Sequence, residues 1–371
     1  MKILAIDIGT GTQDIVLFDA DQPAENSVKL ILPSPTEIAA RRVRAATAEG
    51  QAIVFTGSIQ GGGPCHWATN DHLEAGGVVY ATTEAARTFD DDLENVRSMG
   101  VHLVSEEEAA QCVVSGAAEV RLRDLDLGAI RAALEPFAVD TDFDGLALGC
   151  LDHGNSPPGY SDRLFRFEHL ARVVEERNDL LNFAYLPGEL PDYLTRAQAL
   201  MAAAAGEAPQ VSFMDTGPAA ALGALQDERV PADGRRTVLN VGNMHTLAFD
   251  LEGPRINGLY EHHSGEISGA QIADFTRRLA TKELTHDEVF NSKGHGTYYA
   301  AGEPEETPFV AVTGPQRGKV RGLLDGCFAA PHGDMMVSGC FGLLRGFGEC
   351  YPEAHKAIEG RLLAGQPARA G

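Results

Sequence analysis

The first residues able to do chemistry lie close to the start of the chain. Asp7-Ile8-Gly9-Thr10-Gly11-Thr12 sits between two apolar runs, Ile3–Ile6 and Ile15–Phe18. A turn rich in Gly and Thr offers several backbone N–H groups and hydroxyls to a single anion, with no bulky side chain in the way. Asp7, at its mouth, suits Mg²⁺, which takes one or two carboxylates and keeps several waters. An anion cradle beside a hard-cation ligand suits phosphoryl transfer, which needs positioning and charge neutralisation more than covalent chemistry. A purely structural hairpin in which Asp7 caps the turn would carry the same residues.

Histidines form the second set. Asp152-His153-Gly154 follows an expected strand end, the place where open α/β sheets bind ligands. Asn243-Met244-His245-Thr246 lies in an expected turn, and Glu261-His262-His263-Ser264-Gly265-Glu266 follows an expected strand. These residues offer N and O ligands for a transition metal, or a general acid/base near neutrality. No H-E-x-x-H spacing is present, and for any one His a hydrogen-bonding loop role is the simpler reading. For the set, His153, His245 and His262 lead. Arg163, Arg166 and Arg196 suit either an anionic substrate or surface ion pairs. Trp67, after Gly61-Gly62-Gly63, suits a pocket wall or a core. Asp90-Asp91-Asp92 and Glu106-Glu107-Glu108 read as solvated faces or helix starts.

The chain of 371 residues is long enough for two domains, each with its own core. Its net charge of −23 argues against nucleic acid, whose phosphates reward Lys and Arg clusters, but leaves room for a small phosphate site built on backbone N–H groups. No apolar run approaches membrane-spanning length, and Met1–Asp7 reads as a strand rather than a signal peptide, so the expected location is cytoplasmic and away from membranes. The 6 cysteines, at 65, 112, 150, 327, 340 and 350, make neither a C-x-x-C pair nor a C-x-x-x-C-x-x-C run.

Positioning these groups requires strands and helices in alternation: strands at 3–6, 15–18, 28–32, 52–55, 145–148, 211–214, 237–240, 246–250, 309–312 and 335–337, with helices from Thr36 to about residue 49, near 127–137, at 194–205 and at 218–225. That alternation indicates an α/β fold with a largely parallel sheet. Three landmarks repeat in order, which points to an internal duplication. Ala5–Gly9 leading to Phe18-Asp19 is answered by Leu239–Gly242 leading to Phe249-Asp250. Val54-Phe55-Thr56-Gly57 is answered by Ala311-Val312-Thr313-Gly314. Asp144–Cys150 is answered by Asp334–Cys340.

On these motifs the chain resembles the superfamily of sugar kinases, actin and the heat-shock chaperone ATPases. Asp7–Thr12 resembles its first phosphate turn and Asn240–Thr246 the second; Asp215–Leu225 and Gly339–Leu344 resemble its two connecting helices, and Thr313-Gly314 the adenosine-contacting strand end. The resemblance implies an α/β protein of two ribonuclease-H-like lobes, the actin-like ATPase architecture with an interlobe cleft, divided as 1–210 (with insertions) and 211–371. It implies ATP and Mg²⁺, and a phosphotransferase or ATPase acting on an unidentified small molecule or protein. Gly9, Thr10, Gly11, Thr12, Asn240, Gly242, Asn243, His245, Thr246, Thr313 and Gly314 would hold the nucleotide and Asp7 the Mg²⁺; His262, from the histidine set rather than the resemblance, is the candidate ligand for a transition metal as the alternative. Asp7, Asp152, His153 and Asp215 would be the catalytic groups. The chain departs from the superfamily at Asn240, where an acid is usual. Two other readings therefore stand beside the first: a metal-dependent enzyme of other chemistry using the His and Asp residues, and a non-catalytic ligand sensor. More narrowly, the whole sequence resembles a family of archaeal and bacterial proteins, some labelled pyruvate formate-lyase-activating enzyme. That activity needs a radical-SAM cluster motif, which these cysteines do not form.

Overall fold

The computed structural model describes residues 1–300, 302–306 and 308–363. It opens with a meander of β1 (Lys2–Ile8), β2 (Thr12–Asp19) and β3 (Val28–Pro33). An inserted unit follows, with strands β4 (Ile53–Gly57), β5 (Val79–Thr82), β6 (Val101–Val104) and β7 (Ala118–Leu122). The chain then returns through β8 (Gly145–Cys150), the short β9 (Ala184–Tyr185) and β10 (Gln210–Asp215). The second half forms β11 (Arg235–Val241), β12 (His245–Glu252), β13 (Arg255–His263), β14 (Gly294–Tyr299), β15 (Phe309–Thr313) and β16 (Gly326–Phe328).

The first sheet has the order β3-β2-β1-β8-β10-β9 and the second β14-β13-β12-β11-β15-β16. In each, three antiparallel strands lead into two that run parallel to the first. The same strand order twice, with one extra edge strand in each copy, is the duplicated ribonuclease-H-like architecture of two lobes. β1 shows why the central strands read as nearly continuous apolar runs. Ile3 and Ala5 face a core shared by the two lobes, while Leu4, Ile6 and Ile8 face an outer core of the first lobe. A strand buried on both faces cannot alternate with polar residues.

The duplication corrects two of the three landmark pairings. β1–β2 does correspond to β11–β12. β15, however, answers β8, because each pairs in parallel with the first strand of its sheet. β4 belongs instead to a separate four-stranded parallel sheet, β6-β5-β4-β7, with its own core around Val43, Phe55 and Val120. The likeness of Thr56-Gly57 to Thr313-Gly314 is real but local: both glycines have positive φ, 96° and 95°, at a strand end. Residues 335–337 form no strand; they are the turn before the helix Ser338–Cys350, which answers the helix Thr216–Ala224.

These last two helices cross between the lobes. A Cβ at Gly223 would run into the Ser338 carbonyl, and one at Gly342 into the Ala219 carbonyl, so the two backbones touch. The first helix of the inserted unit is capped two residues before the Thr36 expected as its cap. This helix is Pro35–Ala48, capped by Ser34, and the Thr36 hydroxyl instead donates 2.5 Å to the Gly62 carbonyl of the glycine loop. Among the described residues, no helix is long and apolar enough to cross a membrane.

Candidate functional site

A cavity of about 790 Å³ lies between the lobes, walled by the β1–β2 turn, the β11–β12 turn, the glycine loop after β4 and the loop after β8. The two turns are built alike. Gly9 N–H donates to Thr12 O at 2.9 Å, and Gly242 N–H donates to His245 O at 2.9 Å. A Cβ at Gly9 would lie 3.0 Å from the Thr12 carbonyl oxygen, and one at Gly242 would lie 2.7 Å from that of His245. Ser34 holds the first turn from behind: its N–H donates to Gly11 O at 3.2 Å and its hydroxyl to Thr10 O at 2.5 Å. Since a trans peptide puts its N–H opposite its C=O, the next N–H groups of the turn, those of Gly11 and Thr12, point away from Ser34. The turns also meet, since a Cβ at Gly11 would lie 2.5 Å from Asn243 Nδ2.

The strand registers make the two turns comparable residue by residue. Asp7 pairs with Asp14 across β1–β2, and the matching pair across β11–β12 is Asn240 with Leu247. The acid pair thus belongs to the first lobe alone. Thr216 Oγ1 donates to Asp7 Oδ1 at 2.5 Å, and the other carboxylate oxygen lies against Gly339, where no Cβ would fit. Asp14 Oδ1 is buried with no hydrogen-bond partner. Burial pushes the Asp7 carboxyl up to about 6, and Asp14 up to about 8, with the charge on Asp7 adding to the second. Two buried carboxyls side by side, one with an orphaned oxygen and neither hydrogen-bonded by a basic side chain among the described residues, fit the all-oxygen demand of Mg²⁺.

On the second lobe the turn leads into histidines. His245 and His263 are paired on β12 and β13, and Glu261 lies on the same face two residues before His263. His295 enters from β14 and His153 from the loop after β8. His153 Nε2 and His295 Nε2 are 3.2 Å apart, and His245 Nδ1 is 3.2 Å from Glu261 Oε1. Beneath them Arg166 is fully buried. Its Nε donates to both Glu261 oxygens, at 3.0 and 2.9 Å, and its Nη1 to Asp215 Oδ2 at 2.7 Å and to the Asp152 carbonyl at 2.9 Å. Burial would raise the Glu261 carboxyl, but the Arg166 guanidinium outweighs it and holds Glu261 well below the usual range. Burial, helped by the neighbouring rings, pushes His153 and His295 well down and His263 down to about 4.

Of the residues expected at the site, Asp7, Gly9, Thr10 and Thr12 line the cleft from the first lobe, and Asn240, Gly242, Asn243, His245, Thr313 and Gly314 from the second. Asp152 and His153 line it from the loop after β8. Gly11 lies beneath Asn243 rather than on the wall. Thr246 points into the lobe, its hydroxyl 2.9 Å from Ser264 Oγ. Asp152 accepts from the N–H groups of Gly154 and Ala197 at 2.8 and 2.9 Å, and Asp215 is held by Arg166 and by Gly217 N–H. His262 falls on the opposite face of β13, its ring nitrogens 3.0 Å from His263 O and 3.2 Å from Ser292 Oγ. Side chains alternate along a strand, so only one of two adjacent histidines can join the cluster, and it is His263.

All three arginines considered for an anion are occupied by the protein. Arg163 donates to Phe290 O and Gly294 O, Arg196 to Asp124 and Leu151 O, and Arg166 to Glu261 and Asp215. Trp67 is in neither a core nor the cleft; it is 51% exposed. His295 escaped the sequence reading because Gly294-His295-Gly296 carries none of the apolar alternation of a strand. Among the described residues, no three cysteines approach one another closely enough to share a metal.

Strand order, duplicated turns and interlobe cleft together define a two-lobed α/β protein of the actin-like ATPase architecture. Residues 60–319 match the family described as "Putative pyruvate format-lyase activating enzyme (DUF1786)", and the chain belongs to that family. No curated protein matches the chain. Among solved structures it is similar to a PPX-GPPA enzyme of Aquifex aeolicus, at 11% identity and a TM-score of 0.28 over 85% of this chain and 68% of that one. An exopolyphosphatase-like protein matches at 10% identity and 0.20, over 84% and 65%. A carbohydrate kinase from Novosphingobium aromaticivorans matches at 12% and 0.24, over 99% and 92%.

Proposed function

We propose that this protein binds a Mg–nucleotide across the cleft and uses it to transfer or release a phosphoryl group. The observation that carries this reading is the pair of equivalent turns, each closed by the same 2.9 Å N–H···O bond, facing one cavity from opposite lobes with the acid pair beside the first. Gly9–Thr12 holds phosphate oxygens through backbone N–H groups and the Thr10 and Thr12 hydroxyls, and Gly242–His245 holds them through backbone N–H groups. Asp7, with Asp14 behind it, holds Mg²⁺ directly or through water; when bound, the ion neutralises phosphate charge. Thr313-Gly314 borders the nucleoside, and Gly314 adopts the positive φ that packs this strand end against Val241 and Asn240 without a side chain. Asp152 and Asp215, with their oxygens already engaged, shape the loop and the helix start instead of taking a proton.

The test is thermal unfolding of the full chain with and without Mg–ATP, on wild type and Asp7→Asn. Binding to the native state alone adds about 2.7 kcal/mol at a hundredfold excess over the dissociation constant. A rise in wild type that shrinks in Asp7→Asn supports the reading; an unmoved midpoint at millimolar Mg–ATP in wild type overturns it.

A further inference from the structure

The histidines gathered beside the second turn do more than the phosphate reading asks of them. His153, His245, His263 and His295 lie ring against ring, with centroids 4.6 to 5.4 Å apart in five pairs. They come from three strands and from the loop after β8, so chain proximity alone does not account for the gathering. A ring nitrogen from each of His153, His245 and His295 can be taken so that all three lie within 4.8 Å of one another.

We propose that His153, His245 and His295 bind a divalent transition-metal ion of the zinc class on the wall of the cleft, with Glu261 orienting His245. This site is separate from the acid pair of Asp7 and Asp14 and goes beyond the nucleotide reading.

Four observations support it. Tetrahedral zinc with Zn–N bonds near 2.0–2.1 Å sets its nitrogen ligands about 3.4 Å apart. The Nε2 atoms of His153 and His295 are already 3.2 Å apart, so that edge of a tetrahedron is nearly formed without metal. Second, Glu261 accepts from Arg166 through both oxygens and can only accept from His245 as well. Nδ1 of His245 therefore carries the proton and Nε2 presents its lone pair, the carboxylate–histidine arrangement that orients metal ligands. Third, His295 is fully buried, and the hydrogen-bonding atom its Nε2 meets is His153 Nε2, so no carbonyl or carboxylate competes with an ion for that nitrogen. Fourth, Arg166 carries one positive charge against the two negative charges of Glu261 and Asp215, so the polar layer under the rings keeps an excess negative charge that favours a cation.

The donor set also selects the ion. Three neutral imidazoles suit Zn²⁺, Ni²⁺ or Cu²⁺ and disfavour Mg²⁺, which prefers oxygen. His153 and His245 line the cavity whereas His295 does not, so the ion lies between the buried layer and the cleft. Its ligand there is an anionic oxygen, phosphate or carboxylate, beside the second turn.

The experiment uses chelator-stripped full-length protein and Zn²⁺ alone, titrated by calorimetry in competition with a chelator of known affinity, with no nucleotide present. The expected result is one tight site per chain, lost in His153→Gln and in His295→Gln. Glu261→Gln is expected to weaken it by about 10- to 100-fold, as outer-shell changes do. His102→Gln, at an exposed histidine far from the cluster, leaves it unchanged. If the buried His295 variant does not fold, His153→Gln, in a loop at the cavity wall, decides alone. Wild type without a tight site, or a tight site that survives His153→Gln, overturns the proposal. Because Mg–ATP is absent, failure here does not touch the nucleotide reading, and failure there does not touch this one.

Discussion

Arg166 is the residue on which the cleft floor depends. A guanidinium buried completely between Glu261 and Asp215 is costly to desolvate, and its worth lies in what happens when one partner is removed. Arg166→Met leaves two buried carboxylates uncompensated, and urea unfolding is expected to show a loss of about 3–5 kcal/mol. A loss below about 1 kcal/mol would mean the layer is far wetter than its burial indicates. His169, against Tyr193 Oη at 3.0 Å, makes a pH prediction on the same helix. Burial pushes its folded value down to about 4 from the usual 6.5. The unfolded chain therefore binds a proton in that window that the folded chain refuses, so stability falls as pH drops from 6.5 to 4. His169→Gln is expected to remove up to about 1.4 kcal/mol per pH unit of that slope. Identical slopes in the two proteins would show that His169 is not held neutral.

Glycines decide the element scale, and their signs differ by place. Gly342 lies in the helix Ser338–Cys350, where intrinsic propensity alone would favour alanine by about 1 kcal/mol. Its missing Cβ, however, is where the Ala219 backbone passes. Gly342→Ala is expected to destabilise by about 1–3 kcal/mol through overpacking at the crossing of the two helices. Gly360, in the helix Pro352–Leu362, is expected to go the other way, because an added methyl would meet nothing within 4 Å. Gly360→Ala gains about 0.5–1 kcal/mol. Equilibrium unfolding of both variants reads the contrast; equal signs would show that the helices do not touch at Gly342. The same crossing ties the turns together, because Gly339 at the start of one helix abuts Asp7 and Thr216 at the start of the other donates to it.

At the scale of the whole molecule, the cleft divides its labour between lobes. Carboxylates stand beside the first turn and imidazoles beside the second, on one duplicated framework. If a nucleotide bridges the two, amide exchange at residues 9–12 and 242–245 is expected to slow together on adding Mg–ATP, while β5 and β6 of the inserted unit keep their rates. Protection of one turn without the other would exclude a ligand that spans the lobes.

Local chemistry was legible from the sequence alone: the Gly-Thr turn with Asp7, its degenerate echo at Asn240–His245, the helices of small residues and the α/β alternation. Each of these depends on residues near one another in the chain, where turn geometry and apolar periodicity act directly. Sheet membership was not legible. β4 and β15 end in the same Thr-Gly junction, yet β4 pairs within the inserted unit and β8 takes the place that β15 has in its own sheet. A strand's ends do not encode its neighbour, which is chosen by packing over long separations. The same holds for the histidines. That His263 rather than His262 faces His245 follows from the register of β12 on β13, and a shift of one residue would have exchanged them. Arg166 looked like a surface or substrate-binding cation, because only the folded chain brings Glu261 to it across 95 residues and Asp215 across 49. The sequence by itself determined which groups were present and which local turns they form; the tertiary structure alone decided which of them meet, since burial and strand register act between segments distant in the chain.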